Sequence, residues 1–392
     1  MRKLIITGWM LLFLAELNVI AQNDFSFTRV DSLSYSLYEK TDWRGLLRYG
    51  KEAIANRQDF LLLRLRLGYA AFMLKNYSES IKHYEAALKE DSYNSTAHYF
   101  IYWSRINLNQ SEIAMAEVKF LTSGVLPENK YKPFALSGAE VELSFKQPDS
   151  ASRGKPIYAR IGLGNRFSHS FHMQQSLATF QQTLNEPLFT AVSNNNKINI
   201  GQVEYYNRMT ININRRLQFK VAYHYLHTPF NNFTYQNHLL MTGVKYNGSY
   251  FDVQADAVFG RLTDTSTSQY NLQLGLYPLG NLDFYSYSTA SMRQRQGSAF
   301  NFRQVLGAKM LKNTWLEGNI TLGRFQNLAE NDAIYVYNSV DPTKMKAGIT
   351  GYLMFGGKTI AQLGYTFEQR QLFGTTTTYN QHSITGGLSW KF

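Results

Sequence analysis

The chain contains no cysteine. That excludes a disulfide scaffold, thiolate zinc sites, a cysteine nucleophile and an acylated lipoprotein N-terminus. Charge is scarce: only 17% of the 392 residues are Asp, Glu, Lys or Arg, against roughly 25% in soluble globular chains. The mean hydropathy is −0.32, so a polytopic helical membrane protein is excluded, because spans of about 20 apolar residues would drive that average positive. What the chain has instead is aromatic: 27 Tyr, 26 Phe and 5 Trp within a 44% apolar composition. Its 40 Lys and Arg against 28 Asp and Glu leave a formal charge of +12. The length accommodates two or three domains, one of them with a sizeable core.

Residues 1–21 read as a secretory signal peptide. Arg2 and Lys3 form a positive start, Leu4 to Leu14 an apolar stretch, and Val19-Ile20-Ala21 a plausible cleavage site before Gln22. Glu16 cuts the apolar run too short to span a bilayer comfortably. The mature protein is therefore expected to be exported.

Residues 22–130 have helical periodicity and repeat every 34 residues, over about 27–60, 61–94 and 95–128. The middle copy carries Leu67-Gly68, Ala71, Asn76-Tyr77, Ser80, Tyr84 and Ala87. Matching positions are Asp42-Trp43, Leu46, Gly50 and Ala53 upstream, and Ile101, Gln110-Ser111, Ala114, Val118 and Leu121 downstream. These positions resemble the tetratricopeptide repeat, whose small residues let paired helices approach closely. Serine stands at Ser92 where that repeat usually ends on proline. Repeat geometry predicts a concave face carrying Leu65, Tyr69, Phe72, Tyr99, Trp103 and Ile106. Such a face suits a peptide, a partner's helix or a sugar ring; equally, the rings suit packing against the next repeat.

From about residue 131 to Phe392 the period changes from 3.6 to 2. Phe251, Val253, Ala255, Ala257 and Phe259 share one face, while Asp252, Gln254 and Asp256 share the other. Ala361, Leu363, Tyr365 and Phe367 likewise oppose Gln362, Gly364, Thr366 and Glu368. A soluble sandwich would carry far more Lys and Glu on its polar face. Short turns recur at Asn247-Gly248, Leu279-Gly280, Lys312-Asn313 and Gly356-Gly357, with longer polar connections expected at 228–237, 262–268, 293–298, 327–342 and 370–378. Alternating short and long connections predict a transmembrane antiparallel β-barrel, with the aromatics in two interfacial girdles. Fourteen strands are expected, including one that alternates through Val141, Leu143 and Phe145. Twelve is the alternative, because 168–183 alternates poorly.

The last strand ends on an aromatic residue, with Leu388, Trp390 and Phe392 on one face. This resembles the C-terminal signal that the barrel-assembly machinery of bacterial outer membranes recognises.

Charge is concentrated in the barrel. Residues 155–392 hold 21 basic and 11 acidic side chains, whereas 22–154 hold 17 and 16. Arg160, Arg208, Lys220, Arg303, Lys346 and Arg370 fall on the polar face, beside Glu204, Asp252, Asp256, Glu317 and Glu368. This arrangement serves either a positive lumen that attracts an anionic solute or an internal ion-pair ladder that plugs the barrel. No catalytic residues are assigned. His382 and Ser383 are strand neighbours facing opposite sides, and His224 with Asp256 is the best lumenal pair on offer. Neither metal-ligand spacing nor a phosphate loop is present, so no metal or cofactor is implied. Basic residues scattered through strands of an exported chain do not signal nucleic-acid binding.

The order of leader, repeats and C-terminal barrel resembles the YaiO-type outer-membrane β-barrel proteins. More loosely, it resembles the tetratricopeptide–barrel exporters of exopolysaccharide, such as the poly-N-acetylglucosamine exporter. The resemblance implies an outer-membrane barrel surrounded by lipid, with periplasmic repeats that recruit a protein or glycan partner, and a role in surface polysaccharide export or assembly. An outer-membrane lipid- or glycan-modifying enzyme and a closed structural barrel are the alternatives.

Overall fold

The computed structural model describes residues 25–185, 197–230 and 233–392; the expected leader at 1–21 lies outside them. The chain divides into two compact units at Ile101/Tyr102, within the fifth helix.

Five helices of 13 or 14 residues open the described part of the chain: α1 (Phe27–Glu39), α2 (Trp43–Ala55), α3 (Leu61–Met73), α4 (Tyr77–Glu90) and α5 (Ser95–Asn107). Short polar side chains cap the starts of these helices except α3, which follows Phe60 without a side-chain cap. Asp42 accepts from the Gly45 N–H at 2.9 Å and Asn76 from the Glu79 N–H at 3.0 Å. Asn94 does the same for α5, through the Ala97 N–H at 3.1 Å. Each such cap contributes about 1 kcal/mol. Thr41, Lys75 and Asn109, placed 34 residues apart, take φ of +55°, +59° and +59° at the turn after the first helix of each pair. The same left-handed residue therefore reverses the chain each time.

Small residues decide how closely these helices pack. A Cβ on Gly50 would lie 2.3 Å from the Leu67 side chain, and one on Gly68 would lie 2.7 Å from the Tyr84 ring. Around these contacts Val30, Leu46, Ala53, Leu63, Leu67 and Ala70 form one core. Tyr84, Leu88, Ala97 and Ile101 form another.

The second unit begins in α5 and continues through a short helix, α6 (Ser111–Ala114), a 3-10 turn (Met115–Phe120) and α7 (Glu128–Tyr131). It then becomes a closed antiparallel barrel of fourteen strands. These are β1 (Ala135–Pro148), β2 (Ile157–Arg166), β3 (Phe171–Asn185), β4 (Lys197–Asn212), β5 (Leu217–Phe230), β6 (Phe233–Asn247) and β7 (Phe251–Leu262). They continue with β8 (Thr265–Leu276), β9 (Phe284–Gln294), β10 (Ser298–Leu311), β11 (Thr314–Phe325), β14 (Thr343–Phe355), β15 (Thr359–Gln371) and β16 (Thr378–Lys391). Each strand pairs with its sequence neighbour in the barrel. First and last strands close the ring through pairs such as Val141 with Leu388 and Phe145 with Ile384. The alternative count of twelve falls, because residues 171–185 pair along their whole length with β4 despite their weak alternation.

The ends of the barrel differ from expectation. At the end where β1 begins and β16 stops, the turns are short, as at Gly356-Gly357, whose φ values of +55° and +72° suit a tight hairpin. At the far end, the expected loops at 262–268 and 293–298 shrink to turns of two and three residues, 263–264 and 295–297. Polar residues there alternate with apolar ones, so they extend the strands instead of ending them. Among the described connections at this end, 326–342 is the longest, followed by 149–156 and 372–377.

Candidate functional site: the plugged lumen

Alternation sorts the strand residues into two opposite environments. Ile161, Leu363 and Ile384 are 60%, 66% and 59% exposed, whereas Glu204, Asp252 and Gln381 are at most 5% exposed. Apolar side chains line the outside and polar ones the inside, the reverse of a water-soluble barrel. Only a lipid bilayer makes that distribution favourable. The barrel is of the transmembrane, outer-membrane type.

Part of its lumen is occupied by the chain itself. The segment between β11 and β14 folds inward and carries a two-residue hairpin, β12 (Ala329–Glu330) and β13 (Tyr335–Val336). Ala329, Ala333 and Ile334 pack on inward-facing Tyr206, Ala222, Leu226, Leu239, Met241 and Val258. The hairpin tip, Asn331-Asp332-Ala333, holds φ of +53°, +57° and +63°. A left-handed alanine costs about 1–2 kcal/mol, so the surroundings must hold the tip in place.

They do so mainly through charge. Asp332 Oδ2 accepts from Arg208 at 2.7 Å and from Lys220 at 2.9 Å, and Oδ1 accepts from Gln254 at 2.7 Å. Burial alone would raise the Asp332 pKa; Lys220 and Arg208 outweigh it and hold the carboxyl far below the usual range. Glu330 is opposed by burial in the same way, yet Lys346 and Arg303 bring it down to about 2. Tyr335 donates to Glu142 at 2.6 Å and accepts from Arg160 at 3.1 Å. His224 meets the Ala333 carbonyl at 2.8 Å. At the far end of the segment, Arg153 grips Asp341 with two bonds of 2.6 and 2.9 Å, and Tyr379 donates to it at 2.8 Å.

All six cations singled out from the sequence converge on this one segment. Arg160 reaches Tyr335; Arg208 and Lys220 reach Asp332; Arg303 reaches Asn331; Lys346 reaches Glu330 and Tyr337; Arg370 reaches the Asp341 carbonyl. Contacts to β2, β4, β5, β10, β14 and β15 surround the segment, which places it inside the ring. The segment is a plug.

Arg208 has a second partner. Its Nη2 donates to Glu112 of α6 at 2.7 Å, and Asn212 donates to the Glu112 carbonyl at 2.7 Å. Arg166 donates to the carbonyls of Asn129 and Lys132, and Lys130 to the Phe392 carbonyl. The segment 105–131 is thus bonded to the β1/β16 end of the barrel, and one guanidinium links it to the plug.

The other sequence candidates are placed as follows. Leu65 packs beside Tyr84 and Ile101. Tyr69 touches Tyr38, Trp43 and Phe100. Phe72 touches Tyr77 and Phe100, and Tyr99 also meets Phe100. Trp103, against Tyr102, and half-buried Ile106 belong to the second unit. Leu388 and Phe392 are exposed on the outer face, and Trp390 is half-buried. His224 pairs with Glu204, while Asp256 bonds Gln254 and Asn271, so the structure does not bring His224 and Asp256 together. Among the described residues, no group of three or more His, Asp or Glu is placed to hold a metal. The plug residues Glu330, Asp332, Tyr335 and Asp341 were missed by sequence reasoning, which treated 327–342 as an outside loop.

No known family profile matches the chain, and no curated protein matches it. Solved barrels are similar in outline. The Pseudomonas putida toluene transporter TodX is 8% identical with a TM-score of 0.45, covering 70% of this chain and 91% of that one. A Pseudomonas aeruginosa FadL homologue gives 8% and 0.47 over 72% and 92%. A bacterial polysaccharide outer membrane secretin gives 8% and 0.41 over 66% and 98%. Values this low leave function to be argued from this chain's own residues.

Proposed function

We propose that the chain is a gated outer-membrane conduit for surface polysaccharide export or assembly. In this reading, periplasmic repeats of the tetratricopeptide kind recruit a partner, and the 326–342 plug keeps the lumen closed at rest. The 34-residue recurrence of helix starts and of left-handed turn residues at Thr41, Lys75 and Asn109 supports the repeat assignment. The order of repeats and barrel supports the likeness to YaiO-type proteins. One observation carries the gate: Arg208 bonds plug Asp332 with one nitrogen and Glu112 of the helical segment with another. Moving α6 would pull on the guanidinium that holds the plug tip.

Planar-bilayer conductance tests the gate. The full chain should be closed, and deletion of 327–340 should give a steady open pore. A deletion variant that folds yet stays closed would sink the proposal. Surface-glycan profiles of cells with and without the chain test the cargo separately. An unchanged profile removes the polysaccharide assignment and leaves the gate standing.

A further inference from the structure

The plug does not fill the lumen evenly. On one side it packs dry against β4–β7. On the other, a chamber of about 300 Å³ lies between the plug and the inner faces of β1–β4, β10, β11 and β14–β16. At about 30 Å³ per water, its volume corresponds to some ten waters, room for one sugar-sized molecule.

The ionised groups lining this chamber, four carboxylates and four cations, are equal in number but unequally bonded. Glu142 is held by Arg160 and Tyr335, Glu204 faces His224, and Glu330 is bonded to Lys346. Glu368 accepts from Gln381 at 2.6 Å. Three lining cations, Lys146, Arg303 and Arg370, have no carboxylate ion-pair partner among the described residues. Among the described residues, Arg303 bonds only the Asn331 amide oxygen, and Arg370 only the Gln381 amide oxygen and the Asp341 carbonyl. Lys146 has no side-chain hydrogen bond among them. The Nε–H groups of Arg303 and Arg370 and the hydroxyls of Tyr158 and Ser383 are buried without a partner. Ser383 is only 4% exposed. Glu368 supplies a counter-charge to Lys146 and Arg370, and Glu330 supplies one to Arg303, in each case without a direct ion pair. The buried N–H and O–H donors without acceptors remain costly. Tyr158, Tyr335, Tyr337 and Tyr352 contribute ring faces to the same wall, surfaces on which a pyranose can stack.

We infer that this chamber binds a small, acidic sugar of the hexuronate class, its carboxylate taken by Lys146 and Arg370 and its ring lying against the tyrosines. The site exists in the closed protein, so it stands or falls independently of conductance and of the export assignment.

Equilibrium dialysis of the full chain in detergent micelles, with glucuronate, glucose and glucosamine as probes, tests it. Glucuronate should bind about tenfold more tightly than glucose, or about 1.4 kcal/mol, with glucosamine weakest. Lys146→Met and Arg370→Gln should each abolish that preference, while Arg324→Gln, on the outer face, should leave it intact. Heat-modified gel mobility checks folding of each variant. Equal binding of the three probes by the unmodified chain, or no binding of glucuronate, overturns the inference whether or not the variants fold. So does a glucuronate preference that survives in both folded variants.

Discussion

Replacing Asp332 by Asn preserves the size of the side chain and removes its charge. In the native plug, one carboxylate oxygen holds both Arg208 and Lys220, at 2.7 and 2.9 Å. An amide nitrogen placed there would face two cationic donors. Placing the amide oxygen there instead would turn the NH₂ toward Gln254, which currently donates. Removing one member of a buried ion pair costs about 3–5 kcal/mol. The side chains retain 9–17% exposure, so the lower end of that range applies. The left-handed strain at Ala333 acts in the same direction, since it is relieved when the tip leaves the lumen. A loss of about 3 kcal/mol shifts the plug equilibrium by roughly two powers of ten. Single-channel recording at neutral pH should therefore show a closed native protein and an Asp332→Asn variant that opens about a hundredfold more often. An Asp332→Asn barrel that is folded and as silent as the native one would refute the latch.

Acid provides an independent check. Glu330 and Asp332 have folded pKa values pressed well below the unfolded carboxylate range of about 4. Their stabilisation is complete above that range and is lost progressively as pH falls from it toward the folded values. Conductance should thus stay closed from neutral pH down to about pH 5 and rise progressively below about pH 4, toward the Glu330 value of about 2; openings that begin near about pH 6 would contradict the assignment. At the other end of the plug, Arg153→Met leaves Asp341 buried beside Tyr379 without its cation, a loss of about 3–5 kcal/mol. Limited proteolysis should then cut within 326–342 far faster than in the native chain. In the helical unit, Gly68→Ala drives a methyl to 2.7 Å from the fully buried Tyr84 ring, for a cost of about 1–3 kcal/mol. Thermal melting followed at the helical circular-dichroism band should shift down, while Gly201→Ala, with nothing within 4 Å of its Cβ, should leave that melt unchanged.

What the sequence determined alone was everything carried by local period. Helix starts follow Asp42, Asn76 and Asn94, because a short side chain satisfies free N–H groups three residues ahead. Strands and their two faces follow from period-two alternation, since successive side chains in a strand point to opposite sides. The count of fourteen rests instead on the pairing of the weakly alternating residues 171–185. Alternation fixed which residues face inward, including the six cations. The tertiary structure alone decided what those cations meet. A polar loop in water and a polar plug in a polar lumen have the same composition, so Asn331-Asp332 reads identically in either place. Arg208 and Asp332 lie 124 positions apart, and Arg208 and Glu112 lie 96 apart. No periodicity links residues at such separations. Only closure of the ring brings the opposite charges within 3 Å of one another, in an environment dry enough to make the pairing hold.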